Sequence, residues 1–323
     1  MKIGVIGAGA WGTALAQVCA AGGEEVLLWA FEPEVIDAIN STRENPLYLP
    51  GVPLSADVRA TGDMGALEAC DALLVVTPAQ HLRGILANAP KGKPLVLCSK
   101  GIEAGTGLLM SEAAAQAQPE SPICVLSGPT FAHEVAKGLP TAITLACGDA
   151  ALGKRIAARI ARPGFRPYLS DDVVGAEIGG AVKNVLAIGC GVAEGAGLGL
   201  NARASLISRG FAEMGRFGQA RGARAETLAG LSGLGDLVLT CSSTNSRNFS
   251  LGKGLGEGKP AKELLANRRT VAEGAFTAPV LRDAAREAGV DMPIVEAVCA
   301  LLEDKAPIGR IVEALLARPL RPE

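Results

Sequence analysis

Gly7-Ala8-Gly9-Ala10-Trp11-Gly12 follows the apolar run 2–6 and leads into Thr13-Ala14-Leu15-Ala16. Strand, then G-x-G-x-x-G, then helix gives each glycine a separate task. Gly7 permits the tight turn, Gly9 lets the backbone approach a pyrophosphate, and Gly12 lets the helix pack closely on the strand. The N-terminus of the helix that follows offers unpaired N–H groups and a partial positive charge to the phosphates, with Ala10 and Trp11 of the turn counted among the cofactor-binding positions. A second apolar run, 25–29, is followed by Glu32, about 20 residues past the last glycine. An acid there grips the ribose hydroxyls of a bound dinucleotide. The alternative, a glycine turn with no ligand, does not account for the acid falling in sequence after the second strand.

Working outward, short apolar runs alternate with helical patterns through the first half. Runs 2–6, 25–29, 71–76, 95–99, 123–126 and 141–146 read as strands. Most are continuously apolar, as strands covered on both faces by helices should be. Helical patterns lie between them at 12–21, 33–40, 81–88, 108–116, 130–137 and 151–160. This alternation predicts an N-terminal Rossmann-like, doubly wound parallel sheet, an α/β domain over residues 1–170. From residue 171 on, no convincing strand is legible. Helices are predicted at 173–193, 203–217, 225–231, 261–266, 278–287, 294–300 and 308–316, so residues 171–323 form an all-α C-terminal domain. The glycine-rich segment 252–258 reads as a flexible loop.

The 323 residues are 49% hydrophobic, 20% charged and 3% aromatic, with a formal net charge of -2. That is enough apolar material for two cored domains and too little positive charge for a nucleic-acid binder. The scarcity of aromatics argues further against base stacking. The eight cysteines include no C-x-x-C pair, which predicts buried free thiols rather than zinc or a disulfide framework. No metal site is expected. Met1 leads straight into a strand with no signal-peptide pattern. No apolar run approaches the roughly 20 residues that span a bilayer. A cytoplasmic chain with no stable membrane insertion is expected.

Several polar residues stand out against this background. Lys183 lies in the apolar helical stretch Gly179-Gly180-Ala181-Val182-Lys183-Asn184, with glycine one turn before each polar residue. Read functionally, the glycines leave room for a ligand to approach, and a desolvated lysine serves as a general acid or base. Read structurally, it is a snorkelling lysine. Asp236, in Gly233-Leu234-Gly235-Asp236-Leu237, is a helix cap or a carboxylate that orients lysine and substrate. Ser246-Arg247-Asn248 is a solvated turn or a phosphate-holding cluster, since Arg binds phosphate bidentately. Lys100 ends a predicted strand, where ligands bind in open α/β sheets, or is a solvated charge. His81 and His133 read as helix residues. With no G-x-S-x-G elbow, a Ser-His-Asp hydrolase is disfavoured.

These segments, together with Tyr48-Leu49-Pro50-Gly51, Ser99-Lys100-Gly101 and Ser127-Gly128-Pro129-Thr130-Phe131-Ala132, run in one order along nearly the whole chain. The set resembles the glycerol-3-phosphate dehydrogenase family. The resemblance implies NAD- or NADP-dependent interconversion of dihydroxyacetone phosphate and glycerol 3-phosphate, which supplies the phospholipid backbone. Position by position, it implies that Lys183 is the catalytic acid/base and Asp236 its polar partner at the substrate. It implies that Lys100, Gly128, Thr130, Ser246, Arg247 and Asn248 hold the substrate. Lys100, Arg247, Ala132, Val271 and Glu273 also match cofactor contacts, and Trp11, Phe31 and Tyr48 match positions around the cofactor. A homodimer is compatible with this reading.

The segment Trp29-Ala30-Phe31-Glu32 looks more like NAD-using members than like members with basic residues there, so NAD is the expected preference over NADP. Two other readings compete. One is a 3-hydroxyacid or 6-phosphogluconate dehydrogenase, which also pairs a Rossmann domain with a helix lysine. The other is a catalytically dead dinucleotide sensor. The Ser246-Arg247-Asn248 cluster and Gly235-Asp236 favour a phosphate-bearing triose over the first. The lysine and arginine together disfavour the second.

Overall fold

A computed structural model describes residues 1–266 and 272–317. The chain divides into two compact units, Met1–Lys100 with Leu108–Glu177, and Gly101–Gly107 with Ile178–Glu323.

The first unit is built on strands β1 (Ile3–Ile6), β2 (Val26–Trp29), β3 (Val58–Thr61), β4 (Ala72–Val75), β5 (Leu95–Leu97), β6 (Ile123–Ser127), β7 (Thr141–Cys147) and β8 (Phe165–Ser170). They form one sheet in the order β3-β2-β1-β4-β5-β6-β7-β8. Its helices are α1 (Ala10–Ala20), α2 (Pro33–Thr42), α3 (Leu82–Leu86), α4 (Met110–Ala117), α5 (Ala132–Ala136) and α6 (Ala150–Ile160). Alternate strand residues feed two separate cores. Ile3, Val5, Leu74, Val96 and Leu126 pack with α1, α2, α5 and α6 residues. Leu73, Val75, Leu95, Leu97 and Val125 pack with α3 and α4 residues. Burial on both faces explains the unbroken apolar runs.

The sheet is not wholly parallel, which corrects the sequence expectation: β7 runs antiparallel to β6, with Val125 opposite Ala146. The connection between them holds only the five-residue α5, about 7.5 Å of helix at 1.5 Å per residue. An antiparallel neighbour needs no crossover helix, so this short connection suffices. Strands β3 and β8 were not legible either. Both are edge strands, and they carry Arg59 and Pro167, which suit an edge and dilute an apolar pattern.

Helix α7 (Val173–Gly195) begins in the first unit and enters the second at Ile178. The second unit continues with α8 (Gly199–Ala220), α9 (Ala225–Ala229), a π-helical turn at Leu231–Gly235, α10 (Asp236–Thr240), α11 (Arg247–Gly256), α12 (Ala261–Leu264), α13 (Glu273–Glu287), α14 (Pro293–Leu302) and α15 (Ile308–Leu316). No strand occurs among its described residues. Contrary to expectation, α7 is by length and composition long enough and apolar enough to cross a membrane. In fact 83% of its most apolar 18-residue window is buried inside the protein, the setting of a core helix.

The expected flexible loop at 252–258 is instead largely α11. A Cβ on Gly252 would lie 2.0 Å from the Ile188 carbonyl oxygen, and one on Gly256 2.4 Å from that of Val192. In return, Gly191 and Gly195 of α7 leave only 2.1 Å each to the Phe249 and Lys253 carbonyls. The glycines therefore permit backbone-to-backbone packing of α7 on α11, and their helical entropy cost is offset by that close approach.

Candidate active site

In the first unit the glycine turn lies where the strand order reverses, between β1 and β4. This is the topological switch point at which open α/β sheets bind ligands. Gly7 has φ +109°, and a Cβ there would sit 2.6 Å from the Val76 carbonyl oxygen. A Cβ on Gly12 would lie 1.8 Å from the Gly7 carbonyl oxygen. Both glycines are demanded by the protein's own packing. Gly9 is different: a Cβ there meets nothing within 4 Å. Gly9 caps α1, where no side chain bonds the cap and the first turn holds no acidic residue. The positive end of α1 is thus left open for an anion.

Glu32 precedes α2, and its Oε1 accepts a hydrogen bond from the Tyr48 hydroxyl at 2.8 Å. Phe31 beside it is 80% exposed. Arg43, the next arginine along the chain, donates from Nη1 to the Val58 carbonyl at 3.1 Å, so its guanidinium is held on β3.

Beyond the carboxyl ends of β5 and β6, Lys100 Nζ and Thr130 Oγ1 converge on the Gly128 carbonyl, at 3.5 and 3.4 Å. Ser99 Oγ donates to the Thr77 carbonyl at 2.6 Å. Nearby in the sheet order, the buried Thr77 and Ser127 hydroxyls have no hydrogen-bond partner among the described residues. Sequence reading missed both. Ala132 opens α5. His81 ends a short 3-10 turn, and the His133 ring stacks on Phe131 with centroids 6.1 Å apart.

In the second unit Lys183 is 6% exposed and Asp236 is fully buried. Lys183 Nζ donates to Asp236 Oδ1 at 2.5 Å and to Thr240 Oγ1 at 2.9 Å. Thr240 Oγ1 lies 3.3 Å from the same carboxylate oxygen. Lys183 is therefore no snorkelling lysine, and the Asp236 carboxylate faces it rather than capping α10, whose cap is Gly235. Thr240 was also missed, although its i+4 spacing from Asp236 was available in the sequence. The room expected at Gly179 is taken by the chain itself, since a Cβ there would lie 2.3 Å from the Ser232 carbonyl. That contact seats the π-helical turn on α7 and brings Asp236 to Lys183. Next to them, Cys241 shares a hydrogen bond with Cys190. That bond and burial push its thiol well above the ordinary range, so it stays neutral.

The 246–248 cluster divides its labour. Ser246 Oγ caps α11, accepting from the Phe249 N–H at 3.2 Å. The buried Asn248 accepts from the Gly274 N–H at 2.9 Å, tying α11 to the start of α13 and so to Glu273. Arg247 is exposed and forms no hydrogen bond or ion pair with any described residue.

A dinucleotide-ready turn thus occurs in one unit and a buried lysine–carboxylate pair in the other. A model of the NAD-dependent glycerol-3-phosphate dehydrogenase N-terminus matches residues 2–153, and the model of that family's C-terminus matches residues 172–313. The chain belongs to the NAD-dependent glycerol-3-phosphate dehydrogenase family. It is 61% identical to glycerol-3-phosphate dehydrogenase (NAD(P)+) 1 of Sphingopyxis alaskensis, over 100% of this chain and 98% of that protein. It is 63% identical to the glycerol-3-phosphate dehydrogenase (NAD(P)+) of Novosphingobium aromaticivorans, with the same coverage. The crystal structure of the Coxiella burnetii glycerol-3-phosphate dehydrogenase superposes with a TM-score of 0.93 at 37% identity, covering 98% of this chain and 99% of that one.

The residues present fit the nicotinamide dinucleotide of a glycerol-3-phosphate dehydrogenase. The empty space at Gly9, the uncapped start of α1 and a fixed carboxylate at Glu32 are what a pyrophosphate and a ribose require. Val271, the remaining cofactor candidate, lies outside the described residues. Among the described residues no group of three or more His, Cys, Asp or Glu could hold a metal ion.

Proposed function

We propose that this protein interconverts dihydroxyacetone phosphate and sn-glycerol 3-phosphate with NADH in preference to NADPH, using Lys183 as general acid/base. The observation that carries the reading is the buried Lys183–Asp236–Thr240 cluster. A cation buried in an apolar unit and oriented by two fixed oxygens suits proton transfer to a carbonyl oxygen. The nicotinamide, when bound, supplies or takes the hydride. Gly9 and the start of α1 hold the pyrophosphate, and Glu32 holds the ribose. Lys183 gives its proton to the carbonyl oxygen in reduction and takes it back in oxidation. Asp236 offsets the Lys183 charge, so the phosphate must find its cation elsewhere, and the exposed Arg247 at the start of α11 supplies it. Lys100, Gly128, Thr130 and Ser246 complete the substrate shell. Asn248 serves through its amide nitrogen, because its oxygen is committed to Gly274. Ala132 and Glu273 contact the cofactor.

The NADH preference rests on two observations: Tyr48 fixes the Glu32 carboxylate, and Arg43 is engaged on β3. A 2′-phosphate would meet a negative charge, while the next arginine along the chain is already bonded to the Val58 carbonyl. A cytoplasmic setting suits the eight cysteines, all of them buried and free, and the glycerol 3-phosphate formed would feed phospholipid synthesis. The test is oxidation of NADH and of NADPH, in parallel, with dihydroxyacetone phosphate and with 2-keto and 3-keto acids. Faster NADH oxidation with the triose phosphate is expected. Turnover with the keto acids alone would overturn the substrate, and equal use of NADPH the cofactor preference.

A further inference from the structure

We infer that Asn45 is a positioning residue for the dinucleotide subsite, clamping the glycine turn and the Tyr48–Glu32 pair into one pre-formed frame. The inference rests on the reading that this turn and Glu32 bind the cofactor. Asn45 is fully buried. Its Nδ2 donates to the Ala8 carbonyl at 2.8 Å and reaches Thr13 Oγ1 at 2.8 Å. Thr13, also fully buried, donates from Oγ1 to the same Ala8 carbonyl at 3.2 Å. On its other side Asn45 Oδ1 accepts from the Tyr48 N–H at 3.2 Å, and its backbone carbonyl accepts from the Leu49 N–H at 2.9 Å. Tyr48 then donates its hydroxyl to Glu32.

The chemistry of the partners makes this arrangement specific. Ala8 offers only a carbonyl at this contact and Tyr48 only an N–H. A side chain placed between them must therefore carry one donor and one acceptor on a short rigid stem, which an asparagine amide does. Ala8 lies between the glycine that makes the turn and the glycine that leaves space for phosphate. Turning its carbonyl into the protein, onto Asn45 and Thr13, directs the turn's N–H side toward the ligand. The same amide fixes the 45–49 turn, and with it the hydroxyl that aims Glu32. One buried side chain thus pre-organises the phosphate and ribose ends of the subsite together, so less ordering remains to be done when the cofactor binds.

Three variants separate the parts. Asn45→Asp keeps the acceptor for Tyr48 and loses the donor to Ala8. Thr13→Val keeps the shape and removes the hydroxyl. Tyr48→Phe removes only the contact to Glu32. NADH affinity is read by fluorescence titration of the protein without substrate, alongside thermal unfolding and kcat at saturating NADH. Asn45→Asp and Thr13→Val are expected to weaken NADH binding about tenfold, the effect of losing a buried polar contact, with kcat at saturation nearly kept. Tyr48→Phe is expected to narrow the NADH-over-NADPH ratio. Should Asn45→Asp fail to fold, Thr13→Val decides. A folded Thr13→Val that binds NADH like the parent overturns the inference, as does a fall in Tm with unchanged affinity. A parent protein that binds neither dinucleotide would instead refute the cofactor reading beneath it.

Discussion

Lys183 and Asp236, 53 residues apart in the chain, meet at 2.5 Å inside the helical unit, with Thr240 bonded to both. Asp236 is wholly buried and Lys183 nearly so. Such a pair is held by its own mutual attraction, and removing one partner strands the other charge in a poorly solvated place. Catalysis and stability therefore depend on the same two side chains in different ways, and variants can separate them.

Lys183→Met should lower kcat by about 100-fold or more, the usual reach of general acid–base catalysis. NADH affinity should be nearly unchanged. The substitution should also cost about 3–5 kcal/mol of stability, because the buried Asp236 carboxylate loses its countercharge. Adding Asp236→Asn should restore much of that stability without restoring turnover. Urea unfolding and steady-state kinetics on the single and double variants check both halves. A Lys183→Met protein within a few-fold of the parent rate would remove Lys183 from the chemistry.

Arg247→Ala should raise KM for dihydroxyacetone phosphate by at least about tenfold, since a charge-assisted contact to phosphate is lost. Unphosphorylated dihydroxyacetone should react as poorly with the variant as with the parent. An equal loss for both ketones would show that Arg247 does not hold the phosphate.

Glu32→Ala should narrow the NADH-over-NADPH ratio of kcat/KM by roughly tenfold. The NADP 2′-phosphate carries a charge of about -1.5 to -2, by analogy with a phosphorylated side chain, and no longer meets a carboxylate. Parallel kinetics with the two cofactors read this directly. An unchanged ratio would mean that selectivity resides elsewhere.

Two glycine-to-alanine changes should have opposite signatures. At Gly9 the backbone has φ -65° and a Cβ meets nothing, so Gly9→Ala should leave Tm nearly unchanged while weakening NADH binding about tenfold or more. At Gly252 a Cβ collides with the Ile188 carbonyl, so Gly252→Ala should cost about 1–3 kcal/mol as α7 and α11 separate. Thermal unfolding and NADH titration of both variants decide it, and a destabilised Gly9→Ala would contradict the open space.

Glu213 of α8 predicts a pH dependence of stability. Its carboxylate accepts from the Ile294 and Val295 N–H groups at the start of α14. Burial pushes its pKa up from 4.5 to about 7, against the pull of those two bonds and of Arg216, while Asp291 adds to the rise. Between these values the folded protein keeps a proton that the unfolded chain has lost, so stability falls as pH rises through the window. The total is roughly 3 kcal/mol at 1.36 kcal/mol per pKa unit. Glu213→Gln should flatten this slope. Unfolding midpoints between pH 5 and 8 (about the window itself) for both proteins test it, and parallel slopes would exclude Glu213 as the cause.

What the sequence by itself determined was local in origin. The glycine turn, the acid after β2 and most helices were legible because their causes lie within a few residues of one another. A turn's φ, a helix's period and a strand's apolar run are all short-range. Lys183, Asp236 and Arg247 stood out as polar residues in apolar or glycine-rich settings. Their division into a buried ion pair and an exposed cation did not, because that depends on contacts 53 residues apart. The tertiary structure alone decided why the glycines of 252–258 are there. They look like a loop by composition and form a helix, because the backbone they must clear belongs to α7. It alone decided that β7 turns antiparallel. It alone gave Asn45 a role, since Ala8 and Thr13 lie 37 and 32 residues away. A buried amide is chosen by partners that only folding brings to it, and no periodicity in the chain records them.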